Sequence, residues 1–179
     1  MELSGEARKL ALRVRFLLLD VDGVLTDGRI LYLPGHPEDE AKAFNSRDGV
    51  GIRLAQRAGI GVGLLTGRRS ETVARRAREL GLDPVLQGAN PKLPVFEEWS
   101  RTSGIPATEI CYVGDDVVDL PVLQRVLLPA TVADAHEEAR RAARLVSDRP
   151  GGHGAVREIT DALLRAQGKW DDALAGFMV

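Results

Sequence analysis

Short apolar runs alternate with amphipathic stretches along most of the chain. The apolar runs have the length of β-strands and cover residues 16–19, 60–65, 85–86, 110–113 and 130–133. The stretches between and after them have helical periodicity and predict helices at 48–58, 70–80, 91–103, 120–126, 135–145 and 155–167. This alternation predicts repeated βα units, and therefore an α/β fold with a parallel sheet covered by helices on both faces.

One segment interrupts the alternation directly after the first strand. Residues 26–44 carry β-branched and aromatic residues on either side of Leu33, Pro34 and Gly35, which predicts a small β-hairpin insert. The insert is too short to be a domain. Because 179 residues support one sizeable core, we expect a single domain over 1–179, with the hairpin at about 26–44 and a C-terminal tail at about 168–179.

Composition and charge limit the kinds of molecule that the protein is expected to bind. A net charge of -2 gives no overall attraction to nucleic acid or to an acidic membrane surface, so an anionic ligand needs a local site. No apolar run reaches the length of a membrane span. Cys111, the one cysteine, lies in an apolar run and cannot form an internal disulfide. We therefore expect a cytoplasmic protein with a small-molecule partner, and neither nucleic acid nor membrane.

Polar side chains follow four of the predicted strands at the point where each strand ends. Ligands of an open parallel sheet bind beyond the carboxyl ends of its strands, so these side chains are expected on one rim. An isolated Asp-x-Asp pair is common in solvated turns, and it is the combination that favours a site. The residues are Asp20 and Asp22, then Thr66, then Lys92, then Asp115, Asp116 and Asp119.

The segments around these positions resemble the four motifs of haloacid dehalogenase-type phosphatases. They are DVDGVLTD at 20–27, TGR at 66–68, Lys92, and GDDVVD at 114–119. The closer resemblance is to the small, cap-less 3-deoxy-D-manno-octulosonate 8-phosphate phosphatases. It extends over about 14–167 and includes FNSRDG at 44–49 and GGHGAVRE at 151–158. The resemblance implies a Rossmann-like, haloacid dehalogenase-like sheet without a cap domain.

The resemblance and the chemistry of phosphoryl transfer together predict the roles of the rim residues. Such a transfer needs an in-line nucleophile, neutralised phosphate oxygens and a proton for the leaving alkoxide. Asp20 would form an aspartyl phosphate, and Asp22 would protonate the leaving oxygen and later accept a proton from water. The phosphate oxygens would be bound by the Thr66 hydroxyl, the Lys92 ammonium and backbone N–H groups around Gly23 and Gly67.

The same residues predict a Mg²⁺ site. This ion prefers oxygen ligands and keeps several waters, which suits the carboxylates of Asp20 and Asp115 with the backbone carbonyl of Asp22. Asp116 and Asp119 are expected to be auxiliary acids, although Asp119 could instead be the N-cap of the following helix. Without a cation, so many carboxylates would repel a phosphate dianion.

A sugar acid also carries a carboxylate, which basic side chains near the rim would bind. The candidates are Arg47, Arg68, Arg75 and Arg76, with Arg157 as a further possibility. Because a cap is missing, the resemblance implies a homotetramer whose neighbouring subunits cover each site. The apolar hairpin at 30–33 supports an interface independently, and the apolar tail at 173–179 is expected to dock on a partner subunit.

The residues predict Mg²⁺-dependent hydrolysis of a phosphate monoester, and the resemblance implies that the substrate is a sugar-acid phosphate, 3-deoxy-D-manno-octulosonate 8-phosphate. Two alternatives stay open at this point. One is a phosphatase for a nine-carbon ulosonate 9-phosphate, which differs only in the side chains around the rim. The other is a non-catalytic oligomerisation module related to cytidylyltransferase-associated domains, against which the intact set of converging charges argues.

Overall fold

The computed structural model describes residues 1, 3, 5–33 and 36–175, with side chains for all of these except 36–39. The predicted hairpin turn at 34–35 and the last four residues of the predicted tail, 176–179, lie outside this range. In chain order, the strands are β1 (Phe16–Leu19), β2 (Leu31–Leu33), β3 (His36–Ala41), β4 (Gly61–Thr66), β5 (Val85–Gln87), β6 (Ile110–Val113), β7 (Leu128–Thr131) and β8 (Leu145–Val146).

Helices connect and cover the strands. In chain order, they are α1 (Gly5–Ala11), α2 (Ser46–Arg57), α3 (Glu71–Leu80), α4 (Lys92–Ser103), α5 (Leu120–Leu123), α6 (Glu137–Ala142), α7 (Ala155–Ala166) and α8 (Trp170–Ala175). Single 3₁₀ turns precede β6 and α5, at Ala107–Glu109 and Val117–Asp119. None of the helices in the described part of the chain is long and apolar enough to cross a membrane.

Six of these strands form one parallel sheet in the order β5-β4-β1-β6-β7-β8. The apolar strand β1 is buried along its whole length between β4 and β6. Its side chains alternate between two cores: Leu17 and Leu19 face α2 and α7, whereas Phe16 and Leu18 face α4 and α5. The prediction of a parallel sheet with helices on both faces is confirmed.

The predicted hairpin is confirmed as the antiparallel pair of β2 and β3, and no cap domain is present among the described residues. Several boundaries differ by a few residues from prediction near the far edge of the sheet, where α5 ends at Leu123, β7 ends at Thr131 and α6 begins at Glu137. Strand β7 begins two residues earlier, at Leu128, and includes Pro129, whose carbonyl still accepts a hydrogen bond from the Arg144 N–H. The helix expected at 135–145 ends at Ala142, because Leu145 and Val146 pair with β7 as strand β8.

The start of α2 also differs from prediction. The helix begins at Ser46, before the predicted range of 48–58, and its N-cap is Asn45, whose side chain accepts a hydrogen bond from the Arg47 N–H. Asp48 is buried within α2 and accepts a hydrogen bond of 2.8 Å from the backbone N–H of Arg157 at the start of α7. Burial raises the pKa of Asp48 despite this bond. The carboxyl group therefore joins two helices that the sequence places more than a hundred residues apart.

Candidate active site

The turn after β1 presents two carboxylates to the rim of the sheet. Asp20 directly follows the buried strand and is 5% exposed, and its Oδ1 accepts a 2.7 Å hydrogen bond from the Val21 N–H. The turn is closed by hydrogen bonds from the N–H groups of Leu25 and Thr26 to the Val21 carbonyl. Asp22 is partly exposed on the same turn. The two acids therefore differ in environment, one buried and one open to solvent.

Lys92, the first residue of α4, links the ends of two strands. Its Nζ lies 2.6 Å from Asp20 Oδ2 and 2.6 Å from Asp119 Oδ1, in an environment nearly closed to solvent. Burial alone would lower the pKa of Lys92, but the two carboxylates raise it above its ordinary value. The side chain is therefore a fixed ammonium ion, and it anchors Asp20 in one orientation.

Asp119 is fully buried and organises the turn after β6. Its Oδ2 accepts hydrogen bonds from the N–H groups of Asp115, at 3.0 Å, and Asp116, at 3.2 Å, while its Oδ1 accepts the Tyr112 hydroxyl. It occupies the N-cap position of α5, yet its side chain makes no capping bond to that helix. Asp116 caps the 3₁₀ turn by accepting the Val117 N–H at 2.7 Å.

Three carboxylates are close enough to share one cation. Ligand oxygens of Asp20, Asp115 and Asp119 all lie within 4.8 Å of one another. Burial, then the neighbouring carboxylates, raise the pKa of Asp115 from 3.8 to about 8, and burial and Asp119 raise that of Asp20 to about 7 against the opposing effect of Lys92. Such crowding fits a small divalent cation, since a cation would offset the repulsion.

Close backbone packing holds the turn after β1 against the turn after β6. Gly23 has φ +84°, and a Cβ at this position would lie 2.0 Å from Asp115 Oδ2. The Gly-rich segment after β8 packs behind it, where a Cβ on Gly151 would lie 1.8 Å from the Gly23 carbonyl oxygen. Only glycine permits these approaches, so the spacing of the carboxylates depends on both residues.

A cavity of about 580 Å³ opens at this rim. Thr66 is buried at the end of β4, where Gly67 and Arg68 follow it in exposed positions. Of the predicted site residues, those that line the cavity are Asp20, Asp22, Thr66, Gly67, Arg68, Lys92, Asp115 and Asp116. The ends of β1, β4 and β6 thus meet the start of α4 around a space large enough for a small ligand.

Comparison with known proteins agrees with this geometry. Residues 39–126 match the model of haloacid dehalogenase-like hydrolases. The chain is 44% identical over 170 residues to the 3-deoxy-D-manno-octulosonate 8-phosphate phosphatase of Escherichia coli, covering 95% of this chain and 89% of that protein. The chain belongs to this phosphatase family.

Solved structures of family members superpose closely on the chain. The Yersinia pestis 3-deoxy-D-manno-octulosonate 8-phosphate phosphatase has a TM-score of 0.89 at 40% identity, covering 94% of this chain and 90% of that one. The phosphatase of the same name from Moraxella catarrhalis, solved in complex with a magnesium ion, a phosphate ion and a KDO molecule, has a TM-score of 0.91 at 34% identity, covering 96% and 98%. The predicted resemblance is confirmed.

The arginines predicted for the sugar carboxylate lie in three different places. Arg68 lines the cavity. Arg75 and Arg76 lie on α3, pair with Glu79 and line a separate groove. Arg47 and Arg157 line a different groove, beside His153. Of these five arginines, Arg68 is therefore the one that lines the cavity of the candidate site within a single subunit.

Tyr112, Glu40 and Lys42 contact charged side chains of the site and were not predicted. Tyr112 on β6 is fully buried, and its hydroxyl contacts both Asp119 and Lys92. Glu40 and Lys42 belong to the hairpin insert, where both side chains are buried against the rim. The sequence did contain a signal for Glu40 and Lys42, because a charged side chain in a predicted strand must either be exposed to solvent or be paired with an opposite charge. For Tyr112, an aromatic residue in a core strand gives no such signal.

Proposed function

We propose that the chain is a Mg²⁺-dependent phosphomonoesterase that releases phosphate from 3-deoxy-D-manno-octulosonate 8-phosphate. The observation that carries the proposal is the group formed by Asp20, Lys92, Asp119 and Asp115, in which a buried carboxylate is anchored by an ammonium beside two further acids. The family relationship over nearly the whole chain supports the substrate, since the relatives bear the name of this phosphatase.

In the first half of the proposed reaction, Asp20 attacks phosphorus. A bond forms between a carboxylate oxygen and phosphorus while the bond to the sugar oxygen breaks. Asp22, two residues away on the same turn, transfers a proton to the departing alkoxide. The product is an aspartyl phosphate on Asp20 and the free sugar acid.

In the second half, a water attacks the aspartyl phosphate. Asp22 accepts a proton from this water, phosphate departs and the Asp20 carboxylate is restored. Lys92, whose Nζ lies 2.6 Å from Asp20 Oδ2, neutralises charge that develops on the phosphoryl oxygens, while Thr66 and Gly67, which also line the cavity, donate through their hydroxyl and N–H groups. The buried positions of Lys92 and Thr66 strengthen the interactions of these two side chains.

Mg²⁺ would be held by Asp20 and Asp115, with the Asp22 backbone carbonyl as a third protein ligand. The structure also brings Asp119 into the same cluster, although its oxygens already accept hydrogen bonds from the adjacent turn and from Lys92. Asp119 therefore supports the site by orienting Asp115. When bound, the ion neutralises phosphate charge and fixes the orientation of the substrate.

The substrate's carboxylate is assigned to Arg68, which is partly exposed and lines the cavity.

Assembly of subunits supplies the cover that a cap would otherwise provide. The side chains at the end of the hairpin are strongly exposed, with Tyr32 at 72% and Leu31 at 52%, and such a surface favours burial against another subunit. A homotetramer in the cytoplasm is the arrangement that we propose.

The test is phosphate release from a panel of sugar phosphates, with Mg²⁺ and with EDTA. The panel contains octulosonate 8-phosphate, a nonulosonate 9-phosphate and glucose 6-phosphate. We expect metal-dependent hydrolysis with the highest kcat/KM for the eight-carbon acid. Preference for the nine-carbon acid would overturn the substrate while retaining the chemistry. Folded protein that hydrolyses no phosphate ester with Mg²⁺ present would overturn the enzymatic function.

A further inference from the structure

Lys42 is a buried lysine of the hairpin insert, located one residue after the end of β3. Its side chain is only 1% exposed, and its ammonium donates a hydrogen bond to Asp22 Oδ1. Burying an ammonium ion costs free energy unless charged partners offset the loss of water. The contact therefore ties the insert directly to the carboxyl group that is proposed to handle protons.

A second buried residue holds Lys42 in place. The Oε1 atom of Glu40, which is 7% exposed, lies 2.9 Å from the Lys42 ammonium, although not in line for a hydrogen bond. Its other oxygen, Oε2, accepts a hydrogen bond of 2.7 Å from Arg68. Arg68 closes the series, since its Nε lies 3.9 Å from Asp22 Oδ2. Four charged side chains thus alternate in sign from the hairpin to the cavity.

This arrangement distinguishes the two oxygens of Asp22. Oδ1 is engaged by Lys42, whereas Oδ2 receives no hydrogen bond from any residue in the described part of the chain. The Arg68 separation of 3.9 Å is too long for such a bond. Rotation of the carboxyl group is therefore restricted, and Oδ2 is the oxygen available to a ligand. Glu40 and Arg68 support Lys42 and do not touch the reacting atoms.

We infer that Lys42 is a positioning residue for the acid–base carboxyl group of Asp22, and that the hairpin insert contributes to catalysis through this contact. The inference rests on the proposed function, because it concerns proton transfer in that reaction. It assigns the insert a role within its own subunit, in addition to any role in assembly. Displacement of a catalytic group by about 1 Å can reduce the rate by about 100-fold.

The test compares two substrates that differ in their need for a proton. The alkoxide leaving group of octulosonate 8-phosphate must be protonated, whereas the 4-nitrophenolate of 4-nitrophenyl phosphate departs as a stable anion. The quantity measured is kcat/KM, because it reports the steps up to the first phosphoryl transfer. The variants of the full chain are Lys42→Met, which removes the charge, and Lys42→Arg, which retains a cationic donor. Lys9→Met, an exposed lysine of α1, is the matched control.

For Lys42→Met, we expect kcat/KM to fall by about 10- to 100-fold with octulosonate 8-phosphate and by less than about threefold with 4-nitrophenyl phosphate. Lys42→Arg should recover part of the loss, and Lys9→Met should match the wild type. An equal loss with both substrates, or no loss, would overturn the inference even though the wild-type enzyme is active. A wild-type chain that hydrolyses neither ester would instead overturn the proposed function and the inference with it.

If Lys42→Met does not fold, as judged by circular dichroism, the same comparison is made with Glu40→Gln. This change keeps the shape of the side chain and removes the charge that holds Lys42. The selective loss with octulosonate 8-phosphate should appear in kcat as well as in kcat/KM, with a smaller factor than for Lys42→Met, because a change in KM alone would reflect Arg68, which also pairs with Glu40. Equal effects on both esters would again contradict a positioning role.

Discussion

The rim of the sheet buries polar side chains, whereas the β2–β3 hairpin exposes apolar ones. At the rim, the carboxylates of Asp20 and Asp119 and the ammonium of Lys92 are buried, and each is held by a charged or backbone partner. In the hairpin, apolar side chains at 30–33 are exposed. The comparison teaches that both regions depart from the usual distribution of side chains, and that each departure matches the binding proposed for it: an ion and a phosphate at the rim, and another subunit at the hairpin.

The two strands of the hairpin also differ from each other in burial. Tyr32 pairs with Glu40 across the two strands, yet Tyr32 is 72% exposed and Glu40 is 7% exposed. Directly opposite residues of an antiparallel pair lie on the same face, so it is the two strands that differ: β2 is exposed, whereas the end of β3 packs against the site. The predictions below test whether the rim and the hairpin end are as distinct in function as they are in burial.

The largest effect is expected at the buried end of β1. Replacing Asp20 by Asn removes the nucleophile, so kcat should fall by at least about 10³-fold with every phosphate ester. Steady-state phosphate release measures this effect. The control is Asp83→Asn, which changes an exposed carboxylate remote from the rim and should leave kcat unchanged. Full activity in Asp20→Asn would rule out covalent catalysis by this residue.

The next effect concerns the packing of the rim, tested with two glycines of similar backbone conformation. Gly23 has φ +84° and Gly59 has φ +80°, but only at Gly23 would a Cβ collide with Asp115. Both Ala variants should lose about 1 kcal/mol of stability from backbone strain. Only Gly23→Ala should also lose activity, by about 100-fold, because the carboxylates are displaced. Equal activities of the two variants would show that the close approach has no catalytic consequence.

A smaller effect is expected on stability, from the raised pKa values of Asp20 and Asp115. Between pH 4 and about 8 the metal-free folded state binds more protons than the unfolded state, so these groups make the free energy of unfolding decrease as pH rises. Mg²⁺ competes with those protons and stabilises the folded state. The increase in Tm caused by Mg²⁺ should therefore be larger at pH 8 than at pH 5.5.

Thermal unfolding with Mg²⁺ and with EDTA measures this increase. The difference between the two conditions removes the contribution of titratable groups that do not contact the ion. Asp115→Asn is the matched variant, and its Tm should no longer respond to Mg²⁺. An increase of the same size at both pH values would contradict the assignment of these carboxyl groups to the metal site.

The smallest effect on the subunit itself is expected at the end of the hairpin. Because Tyr32 is 72% exposed, Tyr32→Ser should change the free energy of unfolding of an isolated subunit by less than about 0.5 kcal/mol. It should nevertheless shift the assembly towards smaller species, as measured by light scattering coupled to size exclusion. Leu12→Ser is the control, since Leu12 is 57% exposed and lies outside the hairpin. Equal molar masses for the two variants would show that Tyr32 at the end of the hairpin does not contribute to an interface between subunits.

Most of the fold could be predicted from the sequence, since the apolar run at 16–19 is recognisable as a central strand without knowledge of its neighbours. The exceptions are informative. Strand β8 is two residues long and depends on β7 for its hydrogen bonds, so no local pattern separates it from a helix end. Asp48 resembles a helix cap because capping is a local property, whereas its actual partner belongs to α7.

The sequence by itself determined the α/β fold, the position of the hairpin and the set of acids, hydroxyl and lysine at the strand ends, because parallel strands bring their carboxyl ends to one edge. Only the tertiary structure decided which of these groups touch. It joined Lys92 to both Asp20 and Asp119, placed Arg68 but not Arg75 at the cavity, and turned Lys42 towards Asp22. The physical reason is that ion pairs and hydrogen bonds depend on distances of a few ångströms between residues remote in sequence.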